Sequence, residues 1–442
     1  MNDVTNKPIP VFRNGLNEIR MLLTKRLKFF EEMAQIGDIS FFGLGPLKIV
    51  LLNNSELINS LLQEHAKDIE KGSLQTDVFK PLVGLGVSTS EGEYHDRQRK
   101  LLAPAFQPRH IGNYVGNITQ NADEAFWVSG SIIDLVDEFA KVTMNTVGQI
   151  LFGIPNFGNT SFGKDITIGR NYIDGITKSI IPIPLNWPLP QNRRTKEAIN
   201  RIDATLFSLI IERRNSAKNE STKNDLLTAL IEAKYDDGST MDNKQVRDEA
   251  ITIFNASYDN ISTTMAWAFY LLAQHPAIYK KVQDEADTNL YNSHNNVINL
   301  PYATQVFRET LRLYPTAPFL LRQAVNDFNL DGYNINKGWQ VTFSPWVLHR
   351  NPLYFSDPQV FDPDRFSANE TTLQRYSYLP FGEGSRICPG NHLALMQGPL
   401  MLSILGRRWN FELIPGQNIV PMPRTALRPE PGVKVRVTKR SE

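Results

Sequence analysis

The chain has 442 residues, with 47 lysines and arginines against 46 aspartates and glutamates, so its formal net charge is +1. This balance lacks the basic footprint of a nucleic-acid-binding domain, and we expect no nucleic-acid partner. A composition of 41% hydrophobic and 21% charged residues excludes a disordered chain. The single cysteine excludes an intramolecular disulfide, a CxxC redox pair and a cysteine-rich zinc site.

The length would allow up to three domains at ~150 residues each. No stretch has the composition of a flexible linker, so we predict a single domain over residues 1–442. The N-terminal stretch is polar and does not have the basic-then-apolar order of a signal peptide. The most apolar window, 251–273, contains Asn255, Asp259 and Asn260, which makes it a poor membrane span. We therefore expect a cytoplasmic protein.

In the first half of the chain, short strands are followed by helices. Residues 39–42 and 48–52 are predicted to form two strands on either side of a Gly-Leu-Gly-Pro turn. Ser55 is predicted to be the N-cap of a helix that runs to about Lys67. From 91 to 235 the periodicity is mostly helical, with a proline-rich break at 181–190.

The second half begins with a long predicted helix, 243–274, which His275-Pro276 ends. At 1.5 Å per residue this helix spans ~48 Å, about a domain diameter, so we expect it to cross the core. Residues 314–390 are predicted to be mainly strands and ordered loops. The other predicted elements are helices at 302–313 and 391–408 and strands at 340–343 and 433–437.

The cysteine, Cys388, lies in the sequence Phe-Gly-Glu-Gly-Ser-Arg-Ile-Cys-Pro-Gly, residues 381–390. Two glycines before it and Pro-Gly after it indicate a tight loop that leads into a helix. Backbone N–H groups at a helix N-terminus stabilise a thiolate, and Arg386 adds positive charge. These residues alone leave two interpretations open, a reactive or metal-bound thiolate and a buried structural cysteine.

This segment resembles the haem-binding loop of the cytochrome P450 family, Phe-x-x-Gly-x-Arg-x-Cys-x-Gly. Phe381, Gly384, Arg386, Cys388 and Gly390 occupy all five fixed positions. The resemblance implies that Cys388 is the proximal thiolate ligand of the iron of haem b. It also implies the P450 fold, mainly α with a smaller β-rich region, with haem between the long central helix and the cysteine loop.

Two further segments match the family in the expected order. Glu309-Thr-Leu-Arg312 resembles its Glu-x-x-Arg motif, although such i,i+3 pairs are also common on exposed helix surfaces. Arg365 lies in a stretch that resembles the family's Pro-x-Arg-Phe sequence. The resemblance implies a buried network of Glu309, Arg312 and Arg365 that braces the cysteine loop and has a structural role.

Four other residues match positions that contact the haem propionates in the family. His95 and Arg99 are four residues apart and share a helical face. Arg322 and Arg386 align with further propionate-binding arginines. Without Cys388, His95 and Arg99 would be interpreted as part of a solvated basic helix.

The long helix departs from the family at its centre. The expected Ala-Gly-x-Asp/Glu-Thr is Ala-Ser-Tyr-Asp-Asn here, residues 256–260, with Ala256 beside the haem and Asp259 as the acid. Asn260 replaces a threonine whose hydroxyl, in the family, helps protons reach the bound dioxygen. An amide donates a hydrogen bond but passes protons poorly.

Three interpretations of Asn260 remain open. The enzyme still hydroxylates, with Asp259 and Asn260 handling protons and oxygen. Alternatively, it catalyses altered chemistry, such as isomerisation, dehydration, oxidative coupling or peroxide use. In the third interpretation the register differs, and Thr263 or Thr264, one turn along on the same face, provides the hydroxyl.

The leading prediction is a bacterial-type haem-thiolate monooxygenase that inserts one oxygen atom into an apolar or amphipathic small molecule, such as a secondary metabolite or lipid. A non-catalytic haem binder or gas sensor is the alternative of another class. The Gly-x-Gly sequences do not complete a dinucleotide fingerprint, so we expect electrons from a separate ferredoxin or flavodoxin with its reductase.

This redox partner is predicted to dock at Arg97, Lys100 and Arg109. The substrate walls are predicted at 74–87, near Ala256 and at 316–320. We expect the protein to be a monomer.

Overall fold

The structure, a computed structural model, describes residues 7–13, 15–178, 184–216, 225–290, 299–367 and 373–440. Part of the predicted proline-rich break, 181–183, lies outside these residues. Within these ranges no helix combines the length and the apolar composition that crossing a membrane requires.

Helices make up most of the described chain, and local signals set their ends. The Asp134 side chain, for example, accepts a hydrogen bond from the Val136 amide to cap one helix, and Gly153, at φ 67°, ends it. The helices are α1 (Leu16–Thr24), α2 (Arg26–Ala34), α3 (Ser55–Gln63), α4 (Ser73–Val83), α5 (Gly92–Leu102), α6 (Pro108–Ile111), α7 (Val115–Asp123), α8 (Leu135–Phe152), α9 (Ser161–Lys178), α10 (Pro190–Ser216), α11 (Leu226–Glu232), α12 (Asn243–Gln274), α13 (Pro276–Asn289), α14 (Pro301–Leu313), α15 (Pro345–Leu348) and α16 (Asn391–Arg408).

The strands form small sheets beside the helices. They are β1 (Ile39–Leu44), β2 (Leu47–Leu52), β3 (Ile69–Glu70), β4 (Ile132–Asp134), β5 (Leu320–Ala324), β6 (Phe328–Leu330), β7 (Tyr333–Ile335), β8 (Gln340–Phe343), β9 (Trp409–Leu413), β10 (Val420–Pro423), β11 (Leu427–Glu430) and β12 (Lys434–Lys439). One sheet has the order β1-β2-β8-β5-β3, with β2 and β8 parallel and its other pairs antiparallel. A second sheet has the order β4-β12-β9, and β6-β7 and β10-β11 are antiparallel pairs. The mainly helical architecture with a smaller β-rich part is confirmed.

Helix α12 crosses the core, as its predicted length requires. It has the predicted bounds, Asn243–Gln274, and packs against α8, α10, α14 and α16. The side chain of Asp242 caps its start, and Pro276 follows its C-cap, His275. Most of its residues are buried, so a polar side chain in its middle faces either another buried polar group or a cavity.

The N-terminal elements differ from the prediction at one helix cap. The N-cap of α3 is Asn54, not Ser55, because the Asn54 side chain accepts hydrogen bonds from the amides of Glu56 and Leu57. The helix ends at Gln63 instead of about Lys67. The predicted bounds of β8 and α16 are confirmed, whereas β1 continues to Leu44 instead of ending at Phe42 and the closing strand is Lys434–Lys439 instead of 433–437.

Candidate functional site

Cys388 lies in a tight loop just before α16. Its amide donates a 2.9 Å hydrogen bond to the Phe381 carbonyl, which closes the loop. Gly382 and Gly384 have φ values of 69° and 74°, where a side chain would be strained, so the loop needs glycine at both positions. A Cβ on Gly384 would also lie 3.4 Å from the Leu62 carbonyl oxygen.

The protonation of Cys388 depends on what binds there. Burial raises the pKa of the thiol, and the Gly390 amide and the charges of Arg99 and Lys71 oppose that shift only in part. The thiol of the isolated chain is therefore not pre-ionised. A bound metal ion would deprotonate it, since a coordinating thiol exists as the thiolate.

A cavity of about 350 Å³ separates Cys388 from the middle of α12. Ala256 and Asn260 line it from the helix side, and Phe381 and Gly390 from the loop side. Ala256 is exposed, although the helix residues just before it are buried. A small exposed side chain at the centre of a buried helix indicates that the cavity receives a large group.

The rim of the cavity is cationic. Lys71, Arg99 and Arg386 line the cavity together with His95, and its described lining includes no carboxylate. Burial lowers the pKa of His95 to about 4, despite the opposing hydrogen bond to Asp96, so the imidazole is neutral at pH 7. Burying several positive charges is costly, and the described cavity lining offers them no carboxylate, so this rim fits an anionic ligand.

Arg322 and Arg386 connect this cavity to a second one. Arg322 lies in a neighbouring polar cavity of about 370 Å³, and Arg386 lines both. Burial lowers the pKa of Arg322 to about 10, and its Nη1 donates to the carbonyl of Leu321 at 2.8 Å. Arg386 donates to the Ser90 carbonyl at 2.8 Å and forms an ion pair with Glu91.

Lys71 belongs to this group, although the sequence analysis did not identify it. Its Nζ donates to the Ser88 carbonyl at 2.7 Å, and burial, followed by the charges of Arg386 and Arg322, lowers its pKa to about 7. Lys71 is part of no motif. Only the folding of β3 against β5 brings it to the arginines.

Glu309, Arg312 and Arg365 form the network that the resemblance implies. Arg312 donates two 2.7 Å hydrogen bonds to the Glu309 carboxylate, and Arg365 lies 3.3 Å from the same group. The Glu309 and Arg312 side chains are fully buried. Arg312 also donates to the carbonyls of His349 and Pro358, each at 2.7 Å, so the pair is well satisfied.

His349, which has no sequence signal, connects this network to the cysteine loop. Burial lowers its pKa to about 3, so the ring is neutral. Its Nδ1 lies 3.2 Å from the Arg312 carbonyl oxygen, and its Nε2 accepts a 2.9 Å hydrogen bond from the Leu379 amide. Leu379 in turn accepts a hydrogen bond from Gly382 at the start of the loop. The network thus reaches the loop through backbone contacts.

Asp259 and Asn260 face different surroundings. Asp259 is 3% exposed, pairs with Arg428 and accepts a 2.9 Å hydrogen bond from the Thr425 hydroxyl. Asn260 lines the cavity, and its Nδ2 donates to the Ala256 carbonyl at 2.9 Å. Asp259 does not line the cavity, but Thr425 does.

The two alternative threonines lie away from the cavity. Thr263 is fully buried, and the Thr264 hydroxyl donates to the Asn260 carbonyl at 2.9 Å. Neither residue lines the cavity. The structure therefore places Asn260, not Thr263 or Thr264, in the cavity with Cys388.

The predicted docking patch is partly neutralised within the chain. Lys100 pairs with Asp236 at 2.7 Å, and Arg97 lies 3.6 Å from Asp237. Arg109 lies exposed on α6. The sequence analysis missed the acidic partners because they lie about 140 residues away and meet α5 only in the folded chain.

The comparisons with known proteins agree with this geometry. The cytochrome P450 family model matches residues 5–437. Cyclooctatin synthase of Streptomyces melanosporofaciens is 30% identical, over 93% of this chain and 91% of its own length. Pentalenene oxygenase of Streptomyces avermitilis is 26% identical, over 95% and 94%. Protein LUTEIN DEFICIENT 5, chloroplastic, of Arabidopsis thaliana is 27% identical, over 94% and 74%.

The cavity fits a haem with its two propionates, because it combines a buried thiol, a cationic rim and an apolar lining. The comparisons do not favour the isomerase, coupling, peroxygenase or sensor alternatives. Because the family match covers nearly the whole chain and relatives are named as oxygenases, the chain belongs to the cytochrome P450 family and is a haem-thiolate monooxygenase.

Proposed function

We propose that this enzyme hydroxylates an apolar, terpene-like small molecule, with haem b as its cofactor. When bound, the haem supplies oxygen activation driven by two electrons. Cys388 would hold the iron, and His95, Arg99, Arg322 and Arg386 would hold the propionates. A ferredoxin or flavodoxin with its reductase would deliver the electrons.

The mainly apolar lining of the cavity carries the proposal. Hydroxyl and amide side chains interrupt the apolar surface, and they are Ser88, Thr252, Ser257, Asn260, Thr316, Gln397 and Thr425. Such a surface binds a hydrocarbon skeleton and orients it through one or two oxygen atoms. Cyclooctatin synthase and pentalenene oxygenase are relatives that modify terpenes, which supports this substrate class.

Different residues would accommodate the haem, hold the substrate and support the cysteine loop. Ala256 leaves room above the haem, and the side chains of α12 and the 316–320 loop would hold the substrate. The Glu309 network keeps the cysteine loop in place. The monomeric state and the location in the cytoplasm stay predictions, as do the single domain and the docking of the redox partner near Arg109.

Turnover with a terpene library tests the function. The purified enzyme is mixed with ferredoxin, its reductase and NAD(P)H under labelled dioxygen, after screening for compounds that shift the Soret band. We expect a product that carries one labelled oxygen atom. Product formed without reductant, or labelled only from water, would contradict the proposal.

A cavity-filling variant is the matched control for substrate binding. Ala256→Phe is expected to keep the spectrum of the reduced carbon-monoxide complex and to lose the substrate-induced Soret shift, because the ring would occupy the space above the haem. An unchanged Soret shift would show that the substrate binds elsewhere.

Lys71 predicts a pH dependence of haem binding. The lysine of the unloaded site has a pKa of about 7, and only its charged form attracts a propionate. Lys71 therefore takes up a proton on binding above this pH, while the Cys388 thiol releases one when it binds iron. We expect the advantage in haem affinity of the wild-type apoprotein over Lys71→Met to shrink as the pH rises above about 7, by up to ~10-fold per pH unit.

Haem titration of the apoprotein between pH 6 and pH 8.5 measures this effect. Lys71→Met should bind haem more weakly than the wild type at pH 6, and the two affinities should converge as the pH rises towards 8.5. Lys80→Met, which removes an exposed lysine of α4, is the control and should keep the wild-type profile. Identical profiles for the wild type and Lys71→Met would contradict a propionate contact.

A further inference from the structure

We propose that the Thr425 hydroxyl replaces the missing threonine of α12 and connects buried Asp259 to the cavity. This inference rests on the proposed function. It assigns the proton-handling hydroxyl to a hairpin of the β-rich part, more than 160 residues beyond the position where the family motif has it.

The position of Thr425 is well defined. It lies in the turn between β10 and β11, where its amide donates a 3.0 Å hydrogen bond to Asp174 of α9. Trp267 of α12 donates to the Leu427 carbonyl at 2.7 Å, and the Leu427 amide donates to the Thr316 carbonyl at 2.9 Å. These contacts hold the turn against α12, and this packing places the Thr425 hydroxyl at the cavity wall.

The hydroxyl has the two neighbours that a proton relay needs. Its Oγ1 is 2.9 Å from Oδ2 of Asp259, and Thr425 lines the same cavity as Cys388 and Asn260. A hydroxyl both donates and accepts, so it can take a proton on one side as it releases another on the other side. The Asn260 amide cannot do this at one atom, since its oxygen only accepts and its nitrogen only donates and already contacts the Ala256 carbonyl.

Asp259 also contacts polar side chains other than Thr425. Arg170 lies 3.7 Å from its carboxylate, and Arg428 pairs with it. Both arginines line a polar cavity of about 400 Å³, together with Asp174 and Glu430. The carboxylate therefore lies between this polar cavity and Thr425, so protons from water can reach it without crossing the apolar lining.

The stoichiometry of hydroxylation requires such a route. Substrate R–H, one dioxygen, two electrons and two protons give R–OH and one water. For each proton, the Asp259 carboxylate takes up a proton from water in the polar cavity and passes it to Thr425 Oγ1 as Thr425 releases its own proton into the cavity beside Asn260. Rotation of the hydroxyl then restores the starting state, in which Thr425 donates to the carboxylate.

Four variants test the relay. Thr425→Val removes the hydroxyl and keeps the shape, and Thr425→Ser keeps the hydroxyl. The double variant Asn260→Thr with Thr425→Val returns a hydroxyl to α12. Thr264→Val is the matched control, because it removes a hydroxyl of the same helix that lies outside the cavity.

Two readouts are measured on the haem-loaded variants. One is product formed per NAD(P)H consumed, with hydrogen peroxide as the by-product and the terpene that gives the largest Soret shift as substrate. The other is the infrared stretching band of carbon monoxide bound to the reduced protein, which responds to hydrogen-bond donors in the cavity and needs no substrate.

Thr425→Val is expected to lower the product yield per reductant by roughly 100-fold, the lower end of the effect of losing an acid–base group, and to shift the carbon-monoxide band. Thr425→Ser and Thr264→Val should resemble the wild type, and the double variant should recover part of the yield. A Thr425→Val enzyme with the wild-type yield and band would overturn the relay, as would a Thr425→Ser enzyme as poor as Thr425→Val. Absence of any product from the wild type would instead contradict the proposed function, while the carbon-monoxide band would still test Thr425.

Discussion

Cys388→Ser is expected to abolish both turnover and the red-shifted absorption band of the reduced carbon-monoxide complex. A serine hydroxyl is a far weaker acid than a thiol and does not replace a thiolate as an electron-donating ligand. The chain has no other cysteine that could take over. The measurement is the difference spectrum of the reduced protein with and without carbon monoxide.

Two control variants distinguish loss of the iron ligand from a structural disturbance of the cysteine loop. Ser385→Ala changes an exposed residue of the same loop and should keep the band. Adding Ser385→Cys to the Cys388→Ser protein places a thiol three residues earlier, and it should not restore the band, because Ser385 does not line the cavity that Cys388 lines. A Cys388→Ser protein with the thiolate spectrum would refute the ligand assignment.

Arg312→Met is expected to destabilise the protein by about 3–5 kcal/mol, the usual cost of breaking a buried ion pair on one side. The variant would leave the Glu309 carboxylate buried, with only Arg365 and the Asp362 amide as partners. The carbonyls of His349 and Pro358 would also lose their donor. Because His349 holds the start of the cysteine loop, we expect low haem occupancy in the protein that folds.

Urea unfolding and the ratio of haem to protein absorbance measure the two effects. Arg20→Met, which changes an exposed arginine of α1, is the control and should leave both unchanged. Glu309→Met combined with Arg312→Met should lose less stability than the sum of the single variants, since no unpaired charge of this pair stays buried. An Arg312→Met protein with the wild-type unfolding midpoint would contradict a bracing role.

Much of this site could be predicted because its signals are local. The glycines of the cysteine loop lie close together in the sequence, and backbone sterics determine the turn that they form. The helical repeat likewise brings together the two charged residues of the Glu-x-x-Arg motif. The bounds of α12 follow in the same way from a cap at Asp242 and a proline at 276. These features needed no knowledge of distant parts of the chain.

The predicted helix cap was wrong because two local signals competed, and the predicted basic patch was incomplete because distant residues contribute to its charge. Asn54 and Ser55 are both good N-caps, and only the backbone geometry selects Asn54. Arg97 and Lys100 formed a predicted basic patch, yet Asp236 and Asp237 neutralise part of it. A charge pattern along one helix does not reveal the charges that a separate loop brings against it.

The sequence by itself determined the cysteine loop, the central helix and the family, through the one cysteine and the fixed residues around it. Only the tertiary structure decided that Lys71 joins the cationic rim, that His349 links the Glu309 network to the loop and that Asp259 meets Thr425. Each of these contacts joins elements that are far apart in the chain. Their partners are selected by packing of whole helices and sheets, for which no short stretch of sequence carries a signal.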